Sequence, residues 1–244
     1  MSSKRKYKDT YVRRRRVQRD RVKRCVLIIS GVALFILIIC GIFSLIWKGE
    51  PEQTGNTNKI LPKITLDVKL LKINKYSRPG IPLKKVNGIV VHYTANPGSD
   101  ADENRNYFNN LPRLNKGKKN PTYASSHFVI GLEGQIVQCI PTNEMAYASN
   151  DRNSDTISIE CCHPDKTGKF NDITYQTLVE LLSFLCIKYD LSEGNIIRHF
   201  DVTGKKCPLY FVEHEDEWEQ LKKDVGLFID QFVYNSANFH TGGK

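Results

Sequence analysis

The chain has 244 residues, of which 40% are hydrophobic, so it is long enough for one domain with a real core plus extra sequence but crowded for two. Its formal net charge is +10, and residues 1–24 carry all of this excess because they hold twelve basic and two acidic residues. The remaining chain is balanced in charge, so composition gives no reason to expect nucleic-acid binding by the main domain.

An uncharged apolar run of 23 residues, Cys25–Trp47, follows this basic tail. As a helix it would be roughly 34 Å long, enough to cross a bilayer core of about 30 Å. A cleaved signal peptide is the main alternative, but it usually has a shorter apolar region that ends in small residues. A lipoprotein site at Cys40 lacks the small residue expected just before such a cysteine. We therefore predict one N-terminal transmembrane helix that acts as an uncleaved signal anchor.

Charge and composition predict the organisation on both sides of this anchor. Basic residues stay on the cytoplasmic side of a membrane, so residues 1–24 form a predicted cytoplasmic tail and the rest of the chain lies outside. Residues 48–63 are polar and lack an apolar period, which indicates a tether. The folded domain is predicted over residues 64–234, and residues 235–244 form a C-terminal tail.

Hydrophobic periodicity predicts the elements of the folded domain. LEGQ, between the second and third of the strands named below, predicts a tight hairpin. Apolar residues recur at helical spacing over residues 178–189 and 218–232, and a shorter helix is predicted over residues 101–110. The predicted fold is therefore an α/β domain with a mixed central β-sheet flanked by helices. Five runs rich in valine and isoleucine predict strands: VNGIVVHY from Val86, SHFVIGL from Ser126, GQIVQCI from Gly134, DTISIECC from Asp155 and NIIRH from Asn195.

The cysteines outside the anchor cannot all form disulfides within one chain, because there are five of them. Cys161 and Cys162 are neighbours in a predicted strand, so their side chains point to opposite faces. At least one thiol should therefore have another role, although the sequence leaves the pairing of the others open. The five residues are Cys139, Cys161, Cys162, Cys186 and Cys207.

Two histidines and one of these cysteines suggest a metal site. His92 and His199 each end an apolar strand, and either one alone would more often be a hydrogen-bonded core residue. Cys207 follows His199 by eight residues, so its thiol must fold back through the loop at Gly204. Together the three side chains suit zinc and leave a fourth tetrahedral position open for water, which is typical of a catalytic site.

Two further residues are candidates for proton transfer and charge stabilisation. Glu160 shares a strand face with Ser158 and Cys162, and a carboxylate in such an apolar strand is costly unless it is paired or functional. The alternative for Glu160 is a structural ion pair. Lys205, two residues before Cys207, could stabilise negative charge near the metal, whereas a lysine in a loop is ordinarily just solvated.

Four segments follow one another in a characteristic order: GIVVHYTANPGS, SSHFVIGLEGQIVQCIP, DTISIECC and IIRHFDVTGKKCP. In this order and spacing they resemble the zinc-dependent N-acetylmuramoyl-L-alanine amidases of the type 2 family, which share a fold with peptidoglycan recognition proteins. The resemblance implies zinc as cofactor, with His92, His199 and Cys207 as its ligands. It implies Glu160 and Lys205 as catalytic residues and places His127 beside the cleft, where we expect substrate binding.

The resemblance implies hydrolysis of the amide between N-acetylmuramic acid and L-alanine in peptidoglycan. A domain held outside a single membrane would meet this substrate in a Gram-positive bacterium, and no protein partner is evident. One alternative is a module of the same fold that binds wall fragments without cutting them. Another is a cysteine peptidase using Cys207 and His199, which we disfavour because Pro208 and Tyr210 are predicted to lie in a loop, with no helix start to activate the thiol.

Overall fold

The computed structural model describes residues 60–241, and the predicted cytoplasmic tail, anchor and most of the tether lie outside this range. The strands are β1 (Asp67–Val68), β2 (Gly88–Tyr93), β3 (Phe128–Ile130), β4 (Ile136–Gln138), β5 (Thr156–Cys161) and β6 (Ile196–Arg198). The helices are α1 (Ala101–Leu114), α2 (Asp172–Tyr189), α3 (His199–Thr203), α4 (Leu209–Glu213) and α5 (Glu215–Thr241). Short 3-10 turns cover Asn150–Arg152 and Glu193–Asn195.

The six strands form one mixed sheet in the order β1-β4-β3-β5-β2-β6. Strands β3 and β4 pair antiparallel, while β1–β4, β3–β5, β5–β2 and β2–β6 are parallel pairs. The hairpin predicted at LEGQ is confirmed, since the Gly131 N–H donates to the Gln135 carbonyl at 2.9 Å. Gly134 has φ +77° in this turn, a conformation that glycine adopts without steric cost. The mixed sheet with flanking helices is the predicted architecture.

Alternating side chains of the sheet supply two apolar layers. In β5, Ile157, Ile159 and Cys161 pack into the larger core with α2 and α5. Cys162 belongs to the second, smaller core together with Phe108 of α1. The two neighbouring cysteines therefore point to opposite faces, as predicted. Helices cover both faces of the sheet, so the strand ends are the places where polar side chains can gather.

The three longer helices extend beyond the ranges that apolar periodicity predicted for them. Helix α1 starts at a capping box in which the Asp100 side chain accepts from the Glu103 N–H, and it continues to Leu114. Helix α5 runs to Thr241, so the predicted domain boundary at residue 234 falls within it. Within residues 60–241, none of the helices combines the length and the apolar character needed to cross a membrane.

Candidate functional site

Three neighbouring parallel strands bring the predicted site residues to one edge of the sheet. His92 on β2 pairs in register with Glu160 on β5, so their side chains stand side by side on the same face. Val91 pairs with Arg198, the last residue of β6, and His199 follows at once. The register of β5, β2 and β6 therefore places Glu160, His92 and His199 at one end of these strands.

Cys207 reaches the same place through a tight return of the chain. Helix α3 ends at Gly204, whose φ of +75° is in the left-handed region that favours glycine. The Phe200 N–H then donates to the Cys207 carbonyl at 2.9 Å. This bond folds the segment back on itself, as the spacing between His199 and Cys207 requires.

The structure groups the three residues predicted to bind the metal. Their ligand atoms all lie within 4.8 Å of one another. The Cys207 Sγ is 3.8 Å from the His92 Nδ1, and the centroids of the two imidazole rings are 4.7 Å apart. All three residues are buried, with exposed fractions of 2% for His92, 8% for His199 and 2% for Cys207.

The protonation of this group fits a soft divalent cation. Burial lowers the pKa of His92 well below its usual value, helped by the charges of His199 and Lys205, and burial and Lys205 also lower the pKa of His199. Both imidazoles are thus favoured in the neutral form that binds metals. Burial, and then Glu160, raise the pKa of the Cys207 thiol to about 12, so a thiolate here needs a cation beside it.

Glu160 and Lys205 line a cleft of about 510 Å³ together with the three grouped residues. The Glu160 Oε2 is buried and has no hydrogen-bond partner within the part of the chain that the structure describes. Burial raises the pKa of Glu160 to about 8, and the positive charge of the exposed Lys205 opposes that rise. The unpartnered oxygen gives no support to a structural ion pair. Because Glu160 lines the cleft, its carboxylate is available for proton transfer there.

His127 lies immediately before strand β3 and is not among the residues that line this cleft. It is 1% exposed, its Nδ1 accepts the Ser158 N–H at 3.0 Å, and its Nε2 lies 2.9 Å from the Glu144 carbonyl. Burial lowers its pKa to about 4, which agrees with a neutral ring protonated on Nε2. This geometry does not support the predicted substrate contact of His127. It indicates a structural role for this residue.

Several residues of the cleft were not found by the sequence reasoning. Thr94 lines it and has a buried hydroxyl without a hydrogen-bond partner among the described residues. Asn150 also lines the cleft and contacts His199, and Ser149 contacts His92 from outside the lining; no motif in the sequence marks either residue. The aromatic residues of the lining come from a strand, from helix α1 and from segments between elements, so no local pattern marks them as a group. The aromatic residues in the lining are Tyr93, Tyr107, Phe108, Tyr123 and Tyr147.

The thiols of the described residues are all free and buried. A helix does start just behind Cys207, because Tyr210 lies in helix α4 and Pro208 precedes that helix as its N-cap. The predicted loop is therefore wrong for Tyr210, whereas Pro208 lies just outside the helix. What opposes a thiol nucleophile is burial, which raises the pKa of Cys207 to about 12.

Comparison with known proteins agrees with the fold and the site. A family model described as N-acetylmuramoyl-L-alanine amidase matches residues 82–209, which is more than half of the chain and includes all the grouped residues. A solved structure described as a mutant endolysin from Bacillus subtilis superposes with a TM-score of 0.56 at 28% identity. The match covers 67% of this chain and 100% of that one.

Two curated relatives match the same part of the chain. N-acetylmuramoyl-L-alanine amidase CwlL of Bacillus licheniformis is 38% identical over 171 residues, covering 65% of this chain and 46% of the relative. N-acetylmuramoyl-L-alanine amidase BlyA of Bacillus subtilis is 32% identical over 176 residues, covering 64% of this chain and 45% of that protein. The chain thus spans less than half the length of these relatives.

Proposed function

This chain belongs to the N-acetylmuramoyl-L-alanine amidase family, and from that premise we propose that it hydrolyses the amide between the lactyl group of N-acetylmuramic acid and L-alanine in peptidoglycan. One observation carries the proposal. The ligand atoms of His92, His199 and Cys207 lie within 4.8 Å of one another. The same cleft holds Glu160, whose Oε2 has no hydrogen-bond partner among residues 60–241. A protein that only binds wall fragments would have no need of this combination.

His92, His199 and Cys207 would hold a zinc ion, as two neutral imidazoles and one thiolate. When bound, zinc supplies Lewis acidity that activates water and polarises a carbonyl group. The protein contributes a buried pocket in which these three side chains are already grouped. All three side chains also line the cleft, where a scissile amide can enter.

Glu160 is the proposed general base and acid. Its Oε2, which makes no hydrogen bond within the described part of the chain, can accept a proton from the attacking water and pass it to the leaving amine of L-alanine. A pKa raised to about 8 by burial suits a group that must both accept and release a proton. Lys205 lines the same cleft, and its ammonium is proposed to stabilise negative charge that develops on the carbonyl oxygen.

Aromatic and neutral polar side chains dominate the rest of the cleft. Tyr107 and Tyr123 are 47% and 51% exposed, so their rings are available to a ligand. The Thr94 hydroxyl and the amides of Asn104 and Asn153 offer hydrogen bonds. This lining suits an uncharged glycopeptide segment rich in hydroxyl and amide groups, the chemistry found around the lactyl-to-alanine bond.

The proposed location rests on the sequence alone. An apolar run of 23 residues preceded by a strongly basic tail supports a single-pass signal anchor with its N-terminus in the cytoplasm. The amidase domain would then lie outside the cell membrane, facing the wall of a Gram-positive bacterium. A tether over residues 48–63 would keep the domain close to the membrane while it reaches nearby wall strands.

The test is digestion of purified walls by the full-length protein in detergent with added zinc. Cleavage of the proposed bond releases new alanine amino termini in step with loss of turbidity, without new reducing sugar ends. A strong chelator should stop both changes, and added zinc should restore them. New amino termini on another stem residue would identify an endopeptidase, and new reducing ends would identify a glycosidase.

A further inference from the structure

Two consecutive residues contact the two histidines of the metal group, one residue to each ring. The Ser149 Oγ lies 3.3 Å from the Nε2 of His92. The Asn150 Oδ1 lies 3.4 Å from the Nε2 of His199. Both contacts therefore come from one short segment that precedes β5. In each histidine the contacted atom is Nε2.

The local backbone is built to present these two side chains. The Asn153 Oδ1 accepts the N–H groups of Ala148 at 2.9 Å and of Ser149 at 2.6 Å, which ties the segment into a closed turn. Asn150 has φ +49°, a left-handed conformation that asparagine tolerates better than most residues. Ser149 is 1% exposed, so its hydroxyl is confined beside His92.

Hydrogen-bond chemistry requires one tautomer for His199 and permits the same tautomer for His92. An amide oxygen can only accept, so the contact with the Asn150 Oδ1 requires a hydrogen on the Nε2 of His199. The Ser149 hydroxyl can accept from the Nε2 of His92 in the same way. The opposite nitrogen of His92, Nδ1, is the atom that faces the Cys207 Sγ at 3.8 Å. A hydrogen on Nε2 leaves the lone pair of Nδ1 free for a metal.

We propose that Ser149 and Asn150 are positioning residues that hold His92 and His199 as Nε2-protonated tautomers and so prepare both Nδ1 atoms for zinc. The inference rests on the proposed function only in taking these histidines as zinc ligands. Partners of this kind typically change metal affinity by about ten- to a hundredfold. Neither side chain needs to touch the substrate for this effect.

The experiment measures zinc affinity of the full-length protein by competition with a chromophoric chelator, without any substrate. Ser149→Ala removes one acceptor. Asn150→Gly removes the other while keeping a residue that accepts positive φ, and Asn150→Asp restores an acceptor oxygen at the same place. We expect Ser149→Ala and Asn150→Gly each to weaken zinc binding about tenfold or more, and Asn150→Asp to bind zinc at least as tightly as the wild type.

Ser183→Ala is the matched control, because Ser183 is also fully buried but its hydroxyl donates to the Val179 carbonyl within α2. It should leave zinc affinity unchanged. Wild-type affinity in both Ser149→Ala and Asn150→Gly would overturn the proposal, as would an equal loss in Asn150→Gly and Asn150→Asp. A wild-type protein that binds no zinc would overturn the metal site itself. Zinc binding without wall digestion would contradict only the proposed substrate.

Discussion

At the scale of single residues, the carboxylate and the ammonium of the cleft are expected to act on the reaction without holding the metal. Glu160→Gln keeps the size and most of the polarity of the side chain but cannot take up a proton. We expect it to retain zinc and to lose about two to four orders of magnitude in turnover. Wall digestion and metal analysis measure the two properties separately.

Glu180→Gln is the control for this change, because Glu180 is an exposed residue of helix α2, outside the lining of the cleft. Its turnover and zinc content should match the wild type. Near-normal turnover of Glu160→Gln would show that the Glu160 carboxylate is not the proton carrier.

Lys205 and Lys206 offer a comparison between adjacent residues of the same type. Lys205 lines the cleft, whereas the Lys206 Nζ pairs with the Glu213 Oε1 at 2.9 Å. Lys205→Met should retain zinc and show depressed turnover, because the developing negative charge loses its cation. Lys206→Met should digest walls at the wild-type rate. Equal rates in the two variants would remove Lys205 from the mechanism.

The buried His127 predicts a dependence of stability on pH. Burial lowers its pKa from 6.5 to about 4, so the unfolded chain binds a proton more readily and stability from this residue is lost as the pH falls between those values. His127→Gln removes this titration. The free energy of unfolding of both proteins is compared at about pH 7.5 and about pH 5. The decrease in the His127→Gln variant should be smaller than the decrease in the wild type by roughly 2 kcal/mol. Urea unfolding at the two pH values measures the difference, and parallel losses would contradict it.

At the scale of elements, the β3–β4 hairpin packs closely against helix α2 at Gly134. A Cβ added at Gly134 would lie 2.8 Å from both the Ile173 Cγ2 and the Thr177 Oγ1, at φ +77°. Gly117 has a similar φ of +75°, but nothing lies within 4 Å of an added Cβ. Both substitutions should lower the free energy of unfolding by roughly 1–2 kcal/mol through left-handed backbone strain. Gly134→Ala should lower it by about 1 kcal/mol more than Gly117→Ala, because its Cβ is crowded.

Chemical denaturation of the two variants measures this difference directly. Since Gly117→Ala carries the same backbone strain, the excess in Gly134→Ala reports the crowding against α2. Equal costs would mean that Ile173, which is 51% exposed, moves aside freely.

The elements also separate what the sequence could predict from what it could not. The apolar strands next to His92 and His199 and the alternation around Glu160 could be predicted, because apolar periodicity is a local property. The pairing of His92 with Glu160 depends on sheet order, which no local pattern specifies. The contact between Cys207 and His92 was expected only from their ligand chemistry and from the resemblance to a known family.

Local patterns failed where a role depends on backbone conformation. The Asn150 contact requires a left-handed residue at a position that no turn motif marks. Helix α4 has five residues, too few for an apolar period to show, so Tyr210 was placed in a loop. The two-residue strand β1 was missed for the same reason.

At the scale of the whole molecule, the proposed topology makes a prediction about access. If residues 1–24 stay in the cytoplasm, the domain matched by the amidase family is exposed once the wall has been stripped from intact cells. Added protease should then remove that domain, while a tag on the N-terminus remains protected until the membrane is permeabilised. Full protection of the domain in stripped cells would contradict the orientation.

The contact between His92 and Cys207 joins residues 115 positions apart and has a consequence for biosynthesis. A ribosome makes His92 and Glu160 well before His199 and Cys207, and β6 completes its pairing with β2 only in that later stretch. A nascent chain therefore has an incomplete donor set until synthesis has passed residue 207. Any product that terminates earlier lacks the Cys207 thiol and cannot complete the proposed metal site. The proposed hydrolysis is thus withheld from every unfinished copy without a separate inhibitor.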